Sequence, residues 1–183
     1  MDESTAAMAT WLGALARGGV IDEPHERAGV GVAAYVVGAD RVDELRRWFR
    51  DQPAEIVRRE KRAAIEACIW MAHADRELTI EESILLRSIV DQAGLEPAEA
   101  RALASMIERG PALESIADRV THPVLRELLL ALGWEIAAID GRIDPRELRL
   151  HERLADRLGI DADRAEALRV AVFGSVGAEV GAL

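Results

Sequence analysis

A shift of the chain by 65 positions lays one half of it on the other. Asp75 falls on Asp140, Glu82 on Glu147, Leu85 on Leu150, Asp91 on Asp156, Gly94 on Gly159 and Ala100 on Ala165. The apolar positions keep the same register, with Met71, Leu78, Ile89 and Leu95 falling on Ile136, Ile143, Leu154 and Ile160. One helix–turn–helix–Gly–helix unit is therefore expected twice. Two copies are too few for a solenoid, which needs three or more to bury a continuous core. A pair packed face to face around a shared core, with approximate two-fold symmetry, is the expected arrangement.

The second copy carries the clearest local signals, in Ala138 to Leu148, Ala-Ile-Asp-Gly-Arg-Ile-Asp-Pro-Arg-Glu-Leu. Asp140-Gly141 stops one helix. Asp144 then supplies a side-chain oxygen to the free amides of the next, Pro145 suits its first turn, and Glu147 stands where the acid of a capping box belongs. The first copy has a related turn at Ala74 to Ser83, with Thr79 and Glu82 three residues apart in the capping positions.

The rest of the chain reads as helix. Aromatic residues make up only 4% and strand-like runs are nearly absent, while half the residues are hydrophobic, enough for a substantial core. Ala6 to Ala16 is an expected first helix, and Pro24 opens a second. Gly29 to Ala39 could be a buried strand by periodicity; with no partner strand in sight it is expected to be helical, its small residues letting another helix approach closely. Asp40 is expected to cap a helix over Arg41 to Arg50 with an apolar stripe of Val42, Leu45, Trp48 and Phe49. A longer helix follows from Ala54, its charged half (Arg58 to Arg62) facing water. Further helices are expected from Thr79 to Gly94, from Pro97 to Arg109, over a short piece at Ala112 to Arg119, over Val124 to Ile139, from Pro145 to Leu158, and over Ala162 to Phe173. The helix at Val124 to Ile139 is apolar nearly all round and belongs at the centre. The expected fold class is thus all-α, a compact bundle of about seven to nine helices in one domain over residues 1–183. N-terminal helices would occupy 1–53, and the repeated units about 54–110 and 121–174.

A formal net charge of -10 and a pI near 4.9 set the chain against nucleic acid and anionic membrane, both of which it would repel. Four arginines, Arg146, Arg149, Arg153 and Arg157, line one side of a helix, but Glu152, Asp156 and Asp161 lie among them, so a salt-laced solvated face is expected there. The longest apolar run, Gly29 to Ala39, is about half a membrane span. Cys68 stands alone among apolar neighbours and reads as a buried thiol in a reducing compartment. The acidic start, Met1 to Ser4, lacks the positive region of a secretory leader, which also points to the cytoplasm. Lys61 is the sole lysine against many arginines, a coding bias that suggests a bacterium.

The chain has no phosphate-binding Gly-rich loop, nucleophile elbow or HExxH. His25, His73, His122 and His151 are scattered and expected to be ordinary, partly buried residues. Trp11, Trp48, Trp70 and Trp134 sit among apolar neighbours and should fill core or rim positions. The acidic turn is not an EF-hand, because oxygen-bearing residues do not recur at alternate loop positions and no suitable glutamate closes a twelve-residue loop.

The motif Ala-x-Asp-Gly-x-Ile-Asp-x-x-Glu, set between an apolar helix and a helix ended by Gly-Ile or Gly-Leu, resembles the TerB-like family of tellurite-resistance proteins over about Ala54 to Phe173. The resemblance implies a compact, non-enzymatic bundle of about seven helices whose acidic positions bind a divalent metal such as calcium. Carried over by position, the candidate ligands are Asp140, Asp144 and Glu147 in the second copy and Asp75 and Glu82 in the first. Arg76 stands where glycine is usual and Thr79 replaces the second aspartate, so the first copy lacks a carboxylate and gains a nearby positive charge. Capping alone also accounts for Asp144 and Glu147. The expected function is a non-catalytic binding module in a bacterial stress or tellurite-resistance system. Another protein would be its partner, with self-association left open. The alternative is an uncharacterised enzyme in which carboxylates such as Asp75 and Asp140 meet as an acid–base pair or bridge metal ions.

Overall fold

The computed structural model describes residues 24–73, 78, 80–110, 118–137 and 145–176, which hold eight helices and no strand. These are α1 (Pro24–Val37), α2 (Ala39–Asp51), α3 (Ala54–Ala72), α4 (Ile80–Gln92), α5 (Pro97–Arg109), α6 (Pro123–Ala137), α7 (Pro145–Leu158) and α8 (Ala162–Val176). The expected helix at 6–16 lies outside the described residues. So does most of the expected piece at 112–119, of which Asp118 and Arg119 form a turn.

Proline and glycine set many of the boundaries. Pro97 and Pro123 are each the first residue of a helix, where the missing N–H costs nothing. At the end of α7, Gly159 takes φ 68° and donates its N–H to Asp156 at 3.1 Å, while the Ile160 N–H reaches back to Ala155 at 2.9 Å. This pairing satisfies two of the helix's last carbonyls and needs a left-handed residue between them. Gly94 plays the corresponding part after α4, with φ 59°.

Gly29 to Val37 is helical throughout, with Ala33, Val36 and Val37 in the core. No strand exists among the described residues to take up the backbone hydrogen bonds of a strand there. At Gly31 an added Cβ would meet nothing within 4 Å, so no close helix approach occurs at that position. The break between α1 and α2 is one residue, Gly38, at φ 105°. Gly38 itself occupies the cap position of α2 without a side-chain cap, and Asp40 falls in the first turn instead of capping it. There its charge faces the positive end of the helix dipole.

Helix α6 is the centre, packed against α1, α2, α3, α7 and α8. Val124, Leu125, Ala131, Leu132 and the run Leu128 to Leu130 are all buried, each large side chain contributing about 2 kcal/mol when removed from water. One cluster of buried residues draws on all eight helices. Cys68 lies within it, and burial pushes its thiol up to about 12.

Helices α5 and α8 start at Pro97 and Ala162, 65 residues apart, and the left-handed Gly94 and Gly159 before them stand at the same spacing. Within each group of three, α3 to α5 and α6 to α8, every helix packs on the other two, and α3 packs on α6.

Three glutamates inside the bundle act as joints. The charged stretch of α3 was expected to face water, yet Glu60 is 0% exposed. Its carboxylate accepts the Thr121 N–H at 2.9 Å and the Thr121 hydroxyl at 2.6 Å, tying α3 to the start of α6. Glu66 is buried and accepts from Arg62 at 2.8 Å and from Arg119. Glu127 on α6 accepts from Arg41 of α2 at 2.6 Å and from Arg164 of α8 at 3.0 and 2.5 Å. Pairing of this kind offsets the cost of burying a carboxylate.

Candidate functional site

Of the candidate metal ligands, Asp75, Asp140 and Asp144 lie outside the described residues, and Glu147 is placed only as part of the backbone of α7, its side chain outside the description. Glu82 is half-buried on α4. The described residues contain no group of three or more His, Cys, Asp or Glu side chains able to hold a metal ion. Three of their four buried glutamates, Glu60, Glu66 and Glu127, each serve one of the joints described above; the fourth is Glu135 on α6.

The histidines are more structured than their scatter suggests. The His73 Nε2 lies 2.7 Å from the Ile107 carbonyl oxygen, a distance at which the ring donates to it. His122 is buried at the N-terminus of α6, where its Nδ1 accepts the Val124 N–H at 3.2 Å and its ring meets that of Trp48 at 5.0 Å between centroids. His151 is 3% exposed and stacks on Trp134, the rings 3.9 Å apart and 16° from parallel. Trp134 also meets Phe173 edge-on at 6.1 Å. Of the tryptophans, Trp134 is core and Trp48 and Trp70 are half-buried; Trp11 lies outside the described residues.

The stacked pair forms part of the wall of a surface cleft of about 390 Å³ between α6, α7 and α8. Leu130 and Trp134 enter from α6, Leu148, Ala155 and Ile160 add to the apolar lining with Ala162 and Ala165 of α8, and the charged groups stand around them. Arg169 is committed to Glu166, donating to both its oxygens at 2.8 and 2.6 Å, and its guanidinium carbon lies 5.9 Å from the centre of the Phe173 ring. The pairing holds the Glu166 carboxyl below its usual range, the Arg169 hydrogen bond being the main cause, and raises Arg169 in turn.

Glu152 and Asp156, one helical turn apart on α7, are exposed and line the same cleft without an ion pair among the described residues. The expected lacing of this helix by salt bridges is therefore not formed at these two acids. Their arginine neighbours Arg149, Arg153 and Arg157 are also exposed and make no ion pair among the described residues. Two like charges at this spacing repel each other and favour a cation between them. The Trp134 indole nitrogen is buried and has no hydrogen-bond partner.

A second cleft of about 470 Å³ lies where the end of α2, the start of α3 and the turn before α5 meet, with Arg50, Arg58, Lys61, Glu96 and Glu99 on its walls. One oxygen of the half-buried Glu99 is without a hydrogen-bond partner.

Sequence reasoning passed over the first cleft. The signal was present in the internal register, where His151 falls on Leu86 and Trp134 on Ile69. Leu86 and Ile69 are fully buried aliphatic residues, so the second half has exchanged two core aliphatics for a stacked aromatic pair with polar nitrogens.

Fold and cleft together define an acidic chain, all-helical among its described residues, with a surface cleft lined by two unpaired carboxylates. Comparisons of the chain with family models, with curated proteins and with solved structures each found no match.

Proposed function

We propose that this chain is a non-catalytic binding module, a TerB-like unit present twice. A cationic protein surface is its main partner, and the acidic turn at Asp140 to Glu147 takes up a divalent cation such as calcium. The observation that carries the reading is the division of labour among its carboxylates. Three of the buried acids, Glu60, Glu66 and Glu127, are held by structural partners, while Glu152 and Asp156 stand unpaired on the surface of a chain with a net charge of -10. Such a surface attracts and orients cations.

What supports the duplication is the start of α5 and α8 at positions 65 residues apart, together with the left-handed glycines Gly94 and Gly159 at corresponding stops. Cation uptake at the turn rests on the TerB-like motif and on its three carboxylates. Metal binding would stabilise the folded chain by mass action, by about 2.7 kcal/mol at a hundred times the dissociation constant. A role in stress or tellurite resistance follows from the same resemblance.

Titration calorimetry with calcium, magnesium and manganese tests the cation. The proposal expects heat from at least one ion at up to millimolar concentration, abolished in the Asp140→Asn, Asp144→Asn double variant. Absence of heat for all three ions, with no accompanying thermal shift, would remove the metal from the account.

A further inference from the structure

We infer that the cleft between α6, α7 and α8 is the docking site for a basic segment of a partner protein, with an arginine side chain set between Glu152 and Asp156 and a peptide carbonyl accepting from the Trp134 indole N–H. The inference rests on the reading of the chain as a protein-binding module, and it names the surface and the chemistry of the contact.

Three features of the cleft converge on this occupant. The first is charge. Arg169 is neutralised by its two bonds to Glu166, which leaves Glu152 and Asp156, one turn apart, as the unpaired charges on the lining of the cleft, while the exposed Arg149, Arg153 and Arg157 of the same helix lie outside that lining. A guanidinium, planar and carrying five donors, can bridge two carboxylates where an ammonium would engage them as a point charge.

The second is the apolar wall. Leu148 is 38% exposed, which is high for a leucine, and stands with Ala155 and Ile160 beside the acids. An arginine side chain lays its methylene stem on such a wall while its charged end stays at the rim. A bare metal ion or small ammonium would leave that wall wet.

The third is the unused donor. Trp134 is 4% exposed, yet its indole nitrogen has no acceptor. A buried N–H without a partner costs about 1–3 kcal/mol, which an acceptor brought to it by a ligand would relieve. A main-chain carbonyl from the segment that carries the arginine supplies it. The volume of about 390 Å³ lies near the lower end of ligand sites, room for a few side chains.

The test uses the full chain and a fluorescent helical peptide with arginine and leucine alternating along one face. Controls are the same peptide with glutamate for arginine, the same peptide with lysine for arginine, and free arginine amide. Anisotropy should report binding of the arginine peptide, weaker binding of the lysine peptide, and none of the glutamate peptide. The Glu152→Gln, Asp156→Asn double variant, checked for unchanged helicity, should lose tenfold or more in affinity. The Trp134 indole proton resonance should move downfield in the complex.

Equal binding of the arginine and glutamate peptides, or unchanged affinity in the Glu152→Gln, Asp156→Asn variant, would overturn the assignment. Saturation by free arginine amide as tight as by the peptide would also overturn it, in favour of a small-molecule site. If Asp140→Asn with Asp144→Asn, and not the α7 pair, abolishes binding, the cleft assignment falls while the binding-module reading stands. If no basic peptide binds and calcium gives no heat, both fall.

Discussion

Glu127 gathers Arg41 and Arg164 from two other helices onto one buried carboxylate of α6. Replacing it with glutamine keeps the shape and removes the charge that both guanidinium groups meet. Because the arginines are about a third exposed, the expected loss is about 1–3 kcal/mol, less than for a fully buried pair, read as a lower urea midpoint at unchanged slope. Such joints were not legible in the sequence. Glu60 sits in a run of charged residues that looks solvated, and its partner Thr121 is 61 residues away, so only the packing of α3 on α6 reveals it.

His122 gives the residue scale a pH dependence. Burial lowers its pKa from 6.5, with Glu44 opposing and Arg41 reinforcing the shift. The folded chain therefore holds the proton less tightly than the unfolded chain. The corresponding stability is fully present above the unfolded value of 6.5 and is lost as pH falls through it towards the folded value. Protonation would also take away the Nδ1 lone pair that accepts the Val124 N–H. His122→Asn, which can keep the cap without titrating, should lose less stability between pH 7 and pH 5 than the wild type in chemical denaturation. Parallel pH profiles for the two proteins would contradict this.

Among the helices, stops and starts were the most legible part, because proline and glycine act through their own backbones and need no tertiary partner. Gly159 should show it. An added Cβ would lie 3.5 Å from Arg126, an ordinary contact, so Gly159→Ala carries mainly the cost of a left-handed alanine. About 1 kcal/mol and a fall of about 2–4 °C in Tm are expected in a thermal scan. An unchanged Tm would mean that the stop after α7 tolerates another conformation. Asp40 was misplaced by one element boundary, since Gly38 could end α1 and begin α2 without any side-chain cap. The arginine face of α7 was read correctly as solvated, but its lacing was not, because at the cleft Glu152 and Asp156 are left unpaired. Sequence spacing alone does not say which neighbour a long side chain takes.

At the scale of the molecule, the all-helical architecture of the described residues followed from composition and the near-absence of strand-like runs, and the central place of α6 from its apolar pattern, as its run of buried leucines requires a helix covered on every side. The candidate ligands were chosen from the turn motif, whereas the cleft arises from three helices meeting, and a search for motifs does not find it. The central claim is that a unit present twice carries its cation chemistry at Asp140 to Glu147 and, more weakly, at Asp75 to Glu82, where Arg76 and Thr79 alter the motif. Amide nitrogen–proton spectra of the isotope-labelled chain, recorded as calcium is added, test that claim most directly. The account predicts saturable shifts concentrated at residues 140–147, with smaller ones at 75–82; shifts spread evenly over the acidic surface, or none at millimolar calcium, would contradict it.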